Sequence, residues 1–234
     1  QARDLTLNVG NSQVTFNGIV GDATDGGLGA IAITGNLRVN NTITGAASLS
    51  VSGTSNLGAN VTTTGAQTYT GAVTVSGANR TLSTTDNQIT FSDIVNSAAT
   101  ETRGLALNVG ASEVEFRGIV GGDTNGGLGA ITITGNLDLN ANIANAASLS
   151  VSSTSNLGAN VTTSGAQTYN GAIALSSNVT LSVGASSTAS GVISGAFNFV
   201  KAGSGTLALN AANTYSGSTT INAGSLNVTG TLNN

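Results

Sequence analysis

The 234-residue chain contains no cysteine, proline, histidine, methionine or tryptophan, and only 7% of its residues are charged. Each absence removes a class of chemistry. Without cysteine there is no disulfide framework, and a chain exported through an oxidising compartment carries no thiol that could mispair. Without histidine or cysteine there is no zinc site of the usual ligands, no Ser-His-Asp triad and no cysteine nucleophile. Six basic against ten acidic residues leave a net charge of -4, with Lys201 as the only lysine, so there is no electrostatic footprint for nucleic acid or anionic lipid. No apolar run approaches the ~20 residues of a membrane span, and Gln1-Ala2-Arg3-Asp4 opens no signal pattern, which reads as an internal or processed piece.

What is present is Gly, Asn, Thr, Ser and Ala interleaved with single Val, Ile and Leu residues, and the interleaving has a period of two. Leu5, Leu7 and Val9 alternate with Thr6 and Asn8, Leu49 and Val51 flank Ser50, and Leu207 and Leu209 flank Ala208. That pattern predicts strands with one buried face. Apolar residues do not recur at three-four spacing, and Gly or Asn interrupts every few residues, so almost no helix is expected.

The sequence is also duplicated. Shifting it by 100 residues aligns Leu5–Ser76 with Leu105–Ser176, with 51 of the 72 pairs identical. Super-repeats of 5–104 and 105–204 follow, the second diverging after about residue 176. Shorter echoes lie inside: QVTFNGIV from Gln13, QITFSDIV from Gln88 and EVEFRGIV from Glu113 are variants of one octet, and TYTG at Thr68, TYNG at Thr168 and TYSG at Thr214 of one tetrapeptide. Short strands recurring at a coil length of about 20 to 25 residues predict a single continuous parallel β-helix over 1–234, with roughly nine to twelve stacked rungs. An antiparallel sandwich would need closed hairpins instead. Inward positions should hold aliphatic residues with Phe16, Phe91 and Phe116, and little charge. The missing proline fits strands paired on both sides. Asn17-Gly18, Ala78-Asn79 and Asn234 suit corners with left-handed backbone angles, and asparagines suit side-chain ladders along the rod.

The C-terminal stretch from Gly203 to Gly230, GSGTLALNAANTYSGSTTINAGSLNVTG, resembles the passenger-associated β-strand repeat of bacterial autotransporters. It carries Thr-Leu-x-Leu, Asn-Thr-Tyr-x-Gly, Thr-x-Ile and Gly-x-Leu-x-Val in order. The TTTGAQTYTGAV and TTSGAQTYNGAI blocks resemble repeats of filamentous-haemagglutinin-like exoproteins. These resemblances imply a right-handed β-helical passenger, exported by its own outer-membrane barrel or by a partner transporter outside this segment, and displayed or secreted by a Gram-negative-type bacterium as an adhesin. Its partners would be host-cell, matrix or neighbouring-cell surfaces, with end-to-end self-association as a rival use of the two exposed end rungs.

Candidate chemistry is sparse. Asp22, Asp25 and Asp123 sit in Gly-rich loops, GDATDGG and GGDTNGG, without the calcium-binding nonapeptide, and read as corner insertions. Glu113, Glu115 and Arg117 alternate with Val114 and Phe116, so they should face outward as a solvated stripe that disfavours slipped register; a carboxylate pair in a β-helical polysaccharide enzyme is the sharper alternative. Thr6, Thr62 to Thr64, Thr132 and Thr134 do not recur at one rung position, which speaks against an ice-binding row. Tyr69, Tyr169 and Tyr215 lie inside repeat motifs and read as structural. No catalytic, metal-binding or cofactor-binding residue is assigned, no cofactor is expected, and the chain reads as a structural shaft rather than an enzyme.

Overall fold

The computed structural model describes residues 2–21, 27–122 and 127–232. Asp22, Asp25 and Asp123 and the Asn234 corner fall outside them. The described residues form strands joined by short turns, with no helix, and every strand pairing among them is parallel. Successive segments stack as a β-solenoid of about 11 turns. At ~4.8 Å per rung this is a rod roughly 50 Å long.

Each coil lays down three strand arms, one on each of three faces. The first face runs from Leu5 through Ile31, Leu49, Gln67, Ile89 and Val114 to Leu137. The second begins with Phe16 and continues through Val39, Leu57 and Val75 to Ser97. The third runs from Val20 through Ile43, Val61, Leu82 and Leu107 to Ile133. Coil length varies more widely than the sequence period suggests. Partners on adjacent coils are 26 residues apart at Asp4 and Ala30, 18 at Asn36 and Thr54, and 20 at Asn198 and Ser218. The extra residues sit at corners, so inward alternation is kept while the turns absorb the length.

The inward side chains form one continuous core of stacked aliphatic residues, capped in places by aromatics. Tyr69, Phe91 and Phe116 stack down the first face with ring centroids 5.3 and 5.2 Å apart and nearly parallel planes. In-register stacking forces this geometry, because equivalent residues one rung apart have no room to tilt freely. Phe16 joins the same type of position but is only partly buried, since Leu5–Phe16 pairs with just one neighbouring coil among the described residues.

Two corner expectations are corrected. Positive φ occurs at glycines and, among other described residues, only at Asp86 and Thr100, so neither Asn17-Gly18 nor Ala78-Asn79 is left-handed. The asparagine ladder is present only in part: Asn40 Nδ2 donates to Asn17 Oδ1 on the adjacent coil at 2.8 Å, while a longer row of corner asparagines turns to the backbone instead. Their Oδ1 atoms accept backbone N–H groups from the next coil: Asn160 N–H to Asn142 at 2.9 Å, Thr180 N–H to Asn160 at 2.8 Å, Asn198 N–H to Asn178 at 3.0 Å, and Ser218 N–H to Asn198 at 2.9 Å. Corner N–H groups point along the rod where no strand is present to receive them, and a short amide side chain supplies the missing acceptor.

Candidate functional surface

Two shallow polar hollows open on the outer wall, and the same local device lies beside both. In Leu5–Phe16, Asn8 lies opposite Thr34 and Gln13 opposite Asn36, so four residues bulge against Gly35 alone; Asn108, Thr134, Glu113 and Asn136 repeat this around Gly135. Gly35 has φ 141°, and a Cβ there would lie 2.4 Å from Val9 Cγ2. Only glycine permits the bulged corner to sit this close. Asn36 then ties three coils together, donating to Asn11 O at 2.9 Å and accepting from Thr54 N–H at 2.9 Å; Asn136 makes the matching bonds to Ala111 O and Thr154 N–H.

The first hollow is lined by Gln13, Asn36, Arg38, Thr54, Asn56 and Thr74. Arg38 Nε donates to Asn40 Oδ1 at 2.9 Å, and Asn40 donates in turn to Asn17 Oδ1 at 2.8 Å. The second is lined by Gln88, Ala111, Ser112, Glu113 and Asn136. Beside it the expected outward stripe is present, with a difference: Glu113 is half-buried and Glu115 is buried, whereas Arg117 is exposed. Neighbouring coils cover these long side chains. Gln88 Nε2 donates to Glu113 Oε1 at 2.9 Å and to Glu115 Oε2 at 3.2 Å, while Arg117 donates to both oxygens of Glu115 at 2.5 and 2.9 Å. Asp138 accepts from Asn140 and Asn156.

Burial pushes the Glu113 carboxyl above the usual carboxylate range, with the charges of Asp138 and Glu115 adding to it. A raised carboxyl beside an ion-paired one is the nearest thing here to an acid and base pair. The geometry does not suit glycosidic cleavage, which needs two carboxyls flanking a bond. Glu113 and Glu115 leave one strand in the same direction and converge on the same Gln88 amide, so they flank nothing. The stripe is a knit of charge-assisted hydrogen bonds between coils. Of the threonines, Thr62 is exposed but Thr63 points inward and donates to Gly65 O at 2.6 Å, so Thr62 to Thr64 form no outward row.

The polar chemistry that sequence reasoning missed lies inside. Gln67 is fully buried, its Nε2 donating to Ser83 O at 2.9 Å and Thr63 Oγ1 at 3.2 Å, and its Oε1 accepting from Tyr69 OH at 3.0 Å; Gln167, Thr163, Ser182 and Tyr169 repeat the cluster. All three tyrosines are buried, and burial pushes the Tyr69 and Tyr169 hydroxyls far above their ordinary range. The expectation of little charge inside is corrected at Lys201. It takes an inward position between Leu181 and Ile221 and is fully buried. Its Nζ donates to Ala202 O at 2.8 Å, Gly203 O at 2.9 Å and Ala223 O at 3.0 Å, carbonyls of two successive coils. The signal was its parity: Phe199 and Lys201 share one side of a strand.

Lys201 lies in a segment that carries a family match, and a solenoid of short parallel rungs with polar inward clusters at fixed motif positions fits a passenger shaft. Residues 199–228 match the family model of the passenger-associated transport repeat. No curated protein and no solved structure matches the chain. The matched residues include Lys201, the buried Asn213 whose Oδ1 accepts Ile193 N–H at 2.9 Å, and Tyr215, whose hydroxyl meets Thr219 Oγ1 at 2.5 Å. Repeat and solenoid together fit an autotransporter passenger, and such a repeat implies a secreted or surface-displayed protein.

Proposed function

We propose that this chain is a structural shaft segment of an autotransporter-type passenger, which carries a functional tip away from the cell and contributes adhesive outer surface to it. The observation that carries the reading is the passenger repeat at 199–228 lying in register with an otherwise uninterrupted stack of coils. A rod with its hydrogen bonds running along the axis resists bending and offers few loops to proteases. The inward ladder supplies stability without large charged surfaces, which leaves the outer wall free to vary. The Glu113 and Glu115 stripe is read as interlocked wall rather than a catalytic site. Attachment to host, matrix or neighbouring-cell surfaces is the use proposed for that wall.

The test places the chain between an outer-membrane display anchor and an epitope tag in a Gram-negative cell. The tag should be reached by antibody on intact cells and the shaft should survive protease; beads coated with the chain should be retained on cell or matrix surfaces. Display without retention would limit the chain to a spacer. End-to-end association of copies is the competing proposal, and dispersed short rods at high concentration in electron micrographs would count against it.

A further inference from the structure

The duplication and the coil do not share a phase. Following the ladder from Leu5 to Ile31, Leu49, Gln67, Ile89 and Val114 completes five coils on one face. Leu105, the duplicate of Leu5, comes one arm earlier, on the face of Leu82 and Ile133. The 100-residue unit therefore spans fourteen arms, one third of a turn less than five coils. Its products obey the same rule: Tyr69 stacks on Phe91 on the first face, whereas Tyr169 stacks on Ala189 on the third.

Within residues 5–75 and their duplicates 105–175 the stacking is nonetheless equivalent. Leu5 pairs with Ile31 as Leu105 pairs with Ile131, Ile31 with Leu49 as Ile131 with Leu149, and Leu49 with Gln67 as Leu149 with Gln167. Each arm contacts the arms three before and three after it, and for pairs lying within residues 5–75 and 105–175 both copies supply equivalent partners at the same offsets; beyond them the offsets part, Val61 pairing with Leu82 but Val161 with Leu181, and Tyr69 with Phe91 but Tyr169 with Ala189. Joining residue 30 to residue 131 would thus keep an equivalent inward partner at each place of the junction, Ile131 meeting Leu5 as Ile31 does and Leu139 meeting Phe16 in place of Val39.

We infer that the duplicated unit is a screw module: it can be removed or added in register, and each removal or addition turns everything beyond it by one third of a turn. The outer stripe of a unit accordingly faces a different direction in each copy. The hollow beside Arg38 opens on the second face and the one beside Glu113 and Asp138 on the first. A partner that recognises the surface shared by the copies would find it distributed around the rod instead of aligned along one side.

The cysteine-free chain allows a direct test with pairs of spin labels. Thr68 and Ala174 lie on one face, linked through Thr90, Glu115, Asp138 and Asn156, so labels at T68C and A174C should sit five rungs, roughly 24 Å, apart. Labels at T68C and T168C are separated by fewer rungs but lie on different faces, so their distance should be the longer. The reverse order would overturn the inference. A variant lacking residues 31–130 should fold with the parent's strand content, and labels at T15C and A174C should then sit three rungs apart on one face, roughly 14 Å. A variant with a second copy of 31–130 after residue 130 should fold as well. Failure of both length variants to fold, or a T15C to A174C distance that crosses between faces, would overturn it.

Discussion

The two copies of the duplicated unit differ in where they tolerate change. Over residues 5–76 and their duplicates 105–176 the inward substitutions are aliphatic for aliphatic, Val39 to Leu139, Val73 to Ile173 and Val75 to Leu175, while the outer wall exchanges Gln13, Thr15 and Arg38 for Glu113, Glu115 and Asp138. The core of a solenoid sees the same neighbours in each coil and restricts volume. The wall sees solvent and one side chain from each adjacent rung, so its chemistry can be rewritten locally. Turning the second copy by a third of a turn costs nothing inside, because the inward partners are set by arm count and not by face.

The comparison breaks most forcefully at the aromatic stack, which runs from Tyr69 and Phe91 of the first copy onto Phe116 at the start of the second. Phe91→Ala opens a gap between Tyr69 and Phe116 and should cost about 3–5 kcal/mol in urea unfolding; the second copy, where Ala189 already follows Tyr169, offers no equivalent loss. The buried glutamines are the control. Gln67→Ala and Gln167→Ala each strand a tyrosine hydroxyl and should each cost about 1–3 kcal/mol. Unequal losses would show that the face occupied by a copy affects its interior.

At Lys201 the expected effect is a pH dependence. Burial holds its ammonium below the usual lysine value, so the unfolded chain binds the proton more tightly than the folded one. Stability should therefore rise with pH from the lowered value up to the ordinary lysine range near 10.4. Lys201→Met should abolish that rise, measured as midpoint against pH; a rise that persisted in the variant would assign it elsewhere. The smallest effect is expected at Ser55 and Ser155, whose buried Oγ atoms have no hydrogen-bond partner. Alanine at either should be neutral or stabilising by up to about 1 kcal/mol, equally in both copies.

Much of the fold was legible because period-two alternation and verbatim repetition are local properties. Leu49-Ser50-Val51 announces its strand without reference to any other coil. The face it occupies was not legible, since corner insertions of unequal length, such as the bulge opposite Gly35, hide the three-arm count. The roles of Asn142, Asn160 and Asn198 depend on a backbone N–H that arrives some twenty residues later, and side-chain type alone suggested left-handed turns instead. Lys201 was hidden by its chemistry. An ammonium is expected at the surface, and only the ring of three carbonyls around Nζ makes an inward placement tolerable.

That ring has a consequence for how the molecule meets its surroundings. The chain has a single lysine, and it is enclosed, so the outer wall offers no side-chain amine to acylating agents, aldehydes or amine-directed crosslinkers. A molecule built to stand in reactive extracellular fluid would, in this respect, be chemically quiet along its whole length until its coils came apart.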